Sequence, residues 1–181
     1  MLEVSKLYNK KVILRTDYNV PIKNNVIVST KRIDESLNTI NYILEQEPSQ
    51  LIIISHMGRP KSKDDIDLSL YPVKLYLESK LNKDIFFSKD FDFDDTYKIV
   101  IIENIRYYSE ETKILSTTLE FQDKLTQLGD VFVNDAFGCC HRGHSSIIGI
   151  NTKERYLGFL VEKELKYLKN VFDKEGVYTL I

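Results

Sequence analysis

Residues 29–54, STKRIDESLNTINYILEQEPSQLIII, decide the fold. Ile33, Leu37, Ile40 and Leu44 recur at spacings of four, three and four, which places them on one stripe of a helix spanning Ser29–Gln46. Four apolar residues, Leu51–Ile54, follow with no polar alternation, as in a strand buried on both faces. A run of the same kind, Val12-Ile13-Leu14, precedes the helix, so the segment reads as strand, crossover helix and parallel strand. The pattern continues along the chain. Strands are expected at Ile85–Phe87, Ile99–Ile102, Val131–Val133 and Val177–Ile181. A second helix should follow Ser69, with Pro72 in its first turn and Val73, Tyr76, Leu77 and Leu81 along it. A third should open at Thr117, form a capping box with Glu120, bury Leu125 and Leu128 and stop at Gly129 as C′. The last helix is expected over Leu160–Phe172 with Leu165, Leu168 and Phe172 inward. Such alternation specifies an α/β fold: a doubly wound, Rossmann-like three-layer domain around a parallel sheet.

The chain has 181 residues, 25 Lys and Arg against 27 Asp and Glu, and a formal charge of −2, which disfavours a general affinity for nucleic acid or anionic lipid. No apolar run approaches the ~20 residues of a membrane span, and no partner of either kind is expected. The two cysteines, Cys139 and Cys140, are neighbours and cannot close a loop by an intrachain disulfide, which suits a reduced, cytoplasmic protein. Arg59–Asp67 and Ser88–Tyr97 read as loops, the second a solvated acidic turn rather than a calcium site because it lacks the glycine and terminal glutamate of a calcium loop.

Cations carry the functional signal. Six arginines stand among 25 basic residues, and five of them adjoin predicted strand ends or the following helix start: Arg15, Arg32, Arg59, Arg106 and Arg142. In an open parallel sheet these positions converge on the crevice beyond the carboxyl ends of the strands, where a guanidinium fork can grip phosphate or carboxylate in two parallel bonds. Asp17, Asn19, His56, Asn104, Asn134, Asp135, His141 and His144 belong to the same loops. The expected ligand is small, multiply anionic and hydroxylated. Gly138–Ser145 matches the spacing of a P-loop but carries His144 where the phosphate-binding lysine must stand. Cys139-Cys140-His141 followed by His144 lacks the gap that lets zinc ligands converge, so no metal is expected.

Arg15-Thr16-Asp17-Tyr18-Asn19-Val20-Pro21, Ser55-His56-Met57-Gly58-Arg59-Pro60, Glu103-Asn104-Ile105-Arg106 and Gly129–Gly138 with His141-Arg142 and His144-Ser145 resemble the phosphoglycerate kinase family, in the same order and over nearly the whole chain. The resemblance implies the amino-terminal, phosphoglycerate-binding half of a two-domain glycolytic kinase that moves a phosphoryl group between 1,3-bisphosphoglycerate and ADP. It implies that Asp17 and Asn19 hold the hydroxyl and carboxylate region of 3-phosphoglycerate. His56, Arg59, Arg106 and Arg142 would grip the phosphate that is not transferred. Arg32 would face the transferred phosphoryl as the catalytic residue, and Arg15 and His141 would support the basic patch. The sequence departs from the family at Cys139, Cys140 and Gly143, where small residues such as threonine and alanine are usual. Residues 1–172 would form the substrate domain and 173–181 the start of a nucleotide-binding domain. That domain would work in cis or trans and hold Mg-ADP or Mg-ATP, so this chain is expected to bind no cofactor and to be inactive alone. A stand-alone anion-binding or regulatory module is the alternative.

Overall fold

The computed structural model describes residues 7–23 and 25–172, and side chains as far as residue 169. Six strands form one sheet, all neighbours parallel: β1 (Lys11–Arg15), β4 (Gln50–Ile54), β5 (Phe86–Ser88), β6 (Ile99–Ile102), β7 (Val131–Asn134) and β8 (Glu154–Leu157). Their spatial order is β5-β6-β4-β1-β7-β8, with a separate antiparallel pair, β2 (Ile22–Lys23) and β3 (Val26–Ile27). The chain builds leftward from β1 and then returns to add β7 and β8 on its other side, so winding reverses at β1.

Alternation along the central strands divides the core in two. Val12, Leu14, Leu51, Ile53, Ile99 and Ile101 pack with Ile33 and Ile40 of α1 (Lys31–Glu45) and Val73 and Leu77 of α2 (Tyr71–Leu81). Ile13, Ile52, Val100 and Phe132 face the other way, against Phe121 and Leu125 of α3 (Leu119–Thr126). The three layers expected from the sequence are present.

Several local expectations fail for identifiable reasons. Thr117 and Glu120 form no capping box: the Thr117 hydroxyl donates to the carbonyl of Ile114, and Glu120 pairs with Lys124 at 2.8 Å. A 3-10 turn over Leu115–Thr117 delays the helix, leaving Thr118 as its N-cap. Gly129 is not a left-handed C′ residue; it is needed because a Cβ would lie 2.8 Å from both the Lys11 carbonyl and the Ile13 side chain. Leu165 and Leu168 of α4 (Phe159–Phe172) are about two-fifths exposed rather than inward. The helix is seated by its first turn, where Val161 is buried, Phe159 meets Tyr42 edge-on and the Phe159 amide bonds Thr39; those leucines lie beyond that contact. The Phe172 side chain and the strand expected at Val177–Ile181 lie outside the described residues.

Candidate anion-binding site

All five loops that follow β1, β4, β6, β7 and β8 lie at the carboxyl edge of the sheet, and the first four carry the chemistry. After β1, Asp17 accepts from the Asn19 amide at 3.2 Å, while Asn19 Oδ1 accepts from the Gly58 amide at 2.8 Å, tying the first loop to the second. Gly58 sits at φ +56, and a Cβ there would strike Leu68 at 2.6 Å, so glycine alone lets this turn present His56 and Arg59 together. Asn104 clamps the third loop. Fully buried, it accepts from the amides of Met57 and Arg106, each at 3.1 Å, and donates to the carbonyls of Met57 and Leu68. It is a scaffold residue rather than a ligand contact. Gly138, after β7, lies where a Cβ would be 2.8 Å from Asp17 Oδ2, so the fourth loop can close against the first.

These loops enclose a cavity of about 270 Å³. Its lining includes Asp17, Asn19, Arg32, His56, Arg59, Arg106 and Arg142, every residue singled out in the sequence for direct contact with a ligand, together with Cys139. Four guanidiniums thus face one carboxylate. That carboxylate is taken: Arg32 bonds Asp17 at 2.9 Å and reaches the Asn19 carbonyl at 3.3 Å. Arg106 donates to the Gly58 carbonyl at 2.6 Å, and its Nε is buried without a hydrogen-bond partner. Burial first, then the charges of Arg15, Arg106, His144 and Arg142, push the His56 pKa down to about 2, so its imidazole is neutral at pH 7. Arg15 is not in the lining; it is fully buried behind His56. His141 is exposed and outside the cavity, and His144 is buried behind it.

The remaining polar candidates have structural work. Asp135 Oδ1 accepts from the amides of Leu160 and Val161, capping α4, and Asn134 accepts from the Ala136 amide. Gly138–Ser145 continues a 3-10 turn at Phe137–Cys139 and runs into a single π-helical turn at Ser145–Gly149, not into an α-helix, so the P-loop resemblance ends at spacing. The neighbouring cysteines diverge: Cys139 is buried with Sγ 3.9 Å from His56 Nδ1, whereas Cys140 is exposed and meets Asn134. Asp17, His56 and Cys139 bring one potential metal-ligand atom each within 4.8 Å, a cluster no spacing rule reveals because the fold assembles it from three loops. Asp17 is committed to Arg32, burial pushes the Cys139 thiol pKa up, and arginines surround His56, so the cluster's surroundings favour an anion over a cation.

A family model described as phosphoglycerate kinase matches residues 2–181. The chain belongs to the phosphoglycerate kinase family. It is 39% identical over 186 residues to phosphoglycerate kinase of Dictyostelium discoideum, covering 91% of this chain and 44% of that protein. It is 40% identical over 188 residues to that of Agaricus bisporus, covering 92% of this chain and 45% of the relative. Among solved structures, phosphoglycerate kinase from Coxiella burnetii superposes with a TM-score of 0.83 at 32% identity, over 93% of this chain and 43% of that one. The chain therefore spans a little under half the length of the phosphoglycerate kinases it matches. Among the described residues no helix is long and apolar enough to cross a membrane.

Proposed function

We propose that the cavity binds 3-phosphoglycerate and 1,3-bisphosphoglycerate, and that the chain serves as the substrate half of phosphoglycerate kinase. The observation that carries this is the convergence of Arg32, Arg59, Arg106 and Arg142 on one small cavity whose only carboxylate is already paired. A compact polyanion matches four forks of this kind far better than a neutral or cationic ligand does. His56, Arg59, Arg106 and Arg142, which line the cavity together, hold the phosphate that stays. Asp17 and Asn19, linked through the Asn19 amide, hold the hydroxyl and carboxylate end. Arg32 stands half-exposed at the rim and faces the phosphoryl that moves.

Phosphoryl transfer asks a protein to align donor and acceptor and to neutralise the equatorial oxygens. This chain supplies the acceptor side. A nucleotide-binding domain, in cis or in trans, supplies Mg-ADP or Mg-ATP. Magnesium takes oxygen ligands, and the one carboxylate of this cavity is paired with Arg32 and faced by three more guanidiniums, so the metal acts from the nucleotide side. The domain division at residue 172 and a cytoplasmic location belong to the same proposal.

Titration calorimetry and a coupled kinase assay test binding and turnover separately. The 181-residue chain should bind 3-phosphoglycerate, more weakly as salt rises, and show no ATP-dependent turnover. Arg32→Ala should leave that binding nearly unchanged yet remove most turnover once a nucleotide domain is supplied. Turnover by the chain alone, or no binding at low salt, contradicts the proposal.

A further inference from the structure

Behind the cavity wall lies a buried carboxylate that phosphate binding does not use. Glu111 ends a 3-10 turn at Ser109–Glu111 and is fully buried. The Ser146 amide donates to its Oε2 at 2.9 Å, and the Ser146 hydroxyl donates to its Oε1 at 2.6 Å. Having placed its only proton on Glu111, the Ser146 oxygen accepts from Arg15 Nε at 2.8 Å. Arg15 is itself fully buried; it donates to the Thr16 carbonyl and sets its NH2 group 3.8 Å from Glu111 Oε1 and 3.4 Å from His56 Nδ1. A guanidinium has donors and no acceptor, so Nδ1 is the ring nitrogen that accepts, and the neutral imidazole carries its proton on Nε2. A proton on Nδ1 would set N–H against N–H in a buried site.

We propose that Glu111 is a positioning residue of the anion pocket: through Ser146 and Arg15 it holds His56 as the Nε2–H tautomer, a neutral hydrogen-bond donor for bound phosphate. The phosphate part rests on the function proposed above; the relay does not. Glu111 balances the charge of Arg15, which would otherwise be a buried, unpaired cation free to turn away from His56. The neutral donor also adds no fifth positive charge to a cavity already lined by four guanidiniums. Besides Arg15, the groups close to His56 are Asp17, Arg106, Arg142, His144 and Cys139, and His144 Nδ1 lies 3.6 Å from Glu111 Oε1. The Asp17 carboxylate is held by Arg32, and the contacts of Nδ1 itself are Arg15 NH2 and, at 3.9 Å, Cys139 Sγ, neither of them a strong acceptor.

Long-range 1H–15N correlation of the histidine rings in the ligand-free 181-residue chain at pH 7 reads the tautomer directly. His56 should show an unprotonated Nδ1 and a protonated Nε2. Glu111→Gln keeps the shape and removes the charge; it should mix the tautomers and weaken 3-phosphoglycerate binding about tenfold, with near-UV circular dichroism confirming the fold. Should that variant not fold, Ser146→Ala breaks the same bridge and should mix the tautomers with a loss of about threefold. A protonated Nδ1 in the unaltered chain overturns the relay, as does a folded Glu111→Gln that keeps both tautomer and affinity. A chain that holds the Nε2–H ring, loses it in Glu111→Gln and binds no phosphoglycerate upholds the relay and overturns the phosphate reading.

Discussion

The two ends of the sheet are both hollow, and the larger hollow is not the one proposed to bind substrate. At the amino end, Tyr8, Glu47, Pro48, Lys83 and Lys98 line a space of about 460 Å³. At the carboxyl end the cavity is about 270 Å³. The amino-end hollow holds two lysines and no arginine, whereas the carboxyl-end cavity holds four arginines, Arg32 on the first turn of α1 and three on loops tied to the first loop and to one another by Asn19, Asn104 and two close-fitting glycines. Volume alone does not mark a site. Convergent forks with fixed loops do, because the cost of ordering cations around an anion is met during folding rather than at binding.

Acid should distinguish the ends most strongly. Burial holds His56 at about 2 and His144 at about 4, both under the ordinary 6.5, and the chain's three histidines all lie in the carboxyl-end loops. As pH falls below 6.5 the unfolded chain takes up protons that the folded chain refuses, so stability is full above 6.5 and declines beneath it. From pH 7.5 to 5, urea unfolding should lose about 4 kcal/mol from the two together, at ~1.4 kcal/mol per pH unit each. His56→Gln should remove about half of that slope. A slope unchanged by the substitution would detach the acid sensitivity from the cavity.

Next in size, Arg59→Ala, Arg106→Ala or Arg142→Ala should each weaken 3-phosphoglycerate binding by ~1.5–3 kcal/mol in calorimetry. Gly58→Ala should lower stability by about 1 kcal/mol or more, because φ +56 and Leu68 leave no room for a Cβ. An unchanged unfolding midpoint would mean that the turn carries no constraint. The smallest effect belongs to the other end: the pair Lys83→Ala and Lys98→Ala should leave phosphoglycerate affinity within about 0.5 kcal/mol, the scale of a surface change remote from a site. A tenfold loss there would erase the contrast between the two hollows.

The legible parts of the sequence were those where one physical demand dominates. β4 and β6 are apolar on both faces because parallel strands are covered on both sides, and α1 shows its stripe because one face alone is buried. β8 escaped notice: Glu-Arg-Tyr-Leu sits at an edge, pairs only with β7 and is at most half-buried, so nothing forces an apolar run. The arginines were legible because strand ends are local landmarks. Glu111 was not, since its partners Arg15 and Ser146 stand far away in sequence and its own surroundings, Ser109-Glu110-Glu111-Thr112, look like solvated loop. The adjacency of Cys139 and Cys140 speaks against a disulfide and a zinc site, but the approach of Cys139 to His56 and Asp17 depends on how three loops close.

The central claim is one of place: a polyanion belongs at the carboxyl end of the sheet. Titrating the 15N-labelled chain with 3-phosphoglycerate at low salt and following backbone amides tests it most directly. Saturable shifts should gather at Asn19, Gly58, Arg59, Gly138 and Arg142, while the amides of Asn9, Lys83 and Lys98 stay still. Shifts gathered around Lys83 and Lys98, or no saturable shift anywhere, would contradict it.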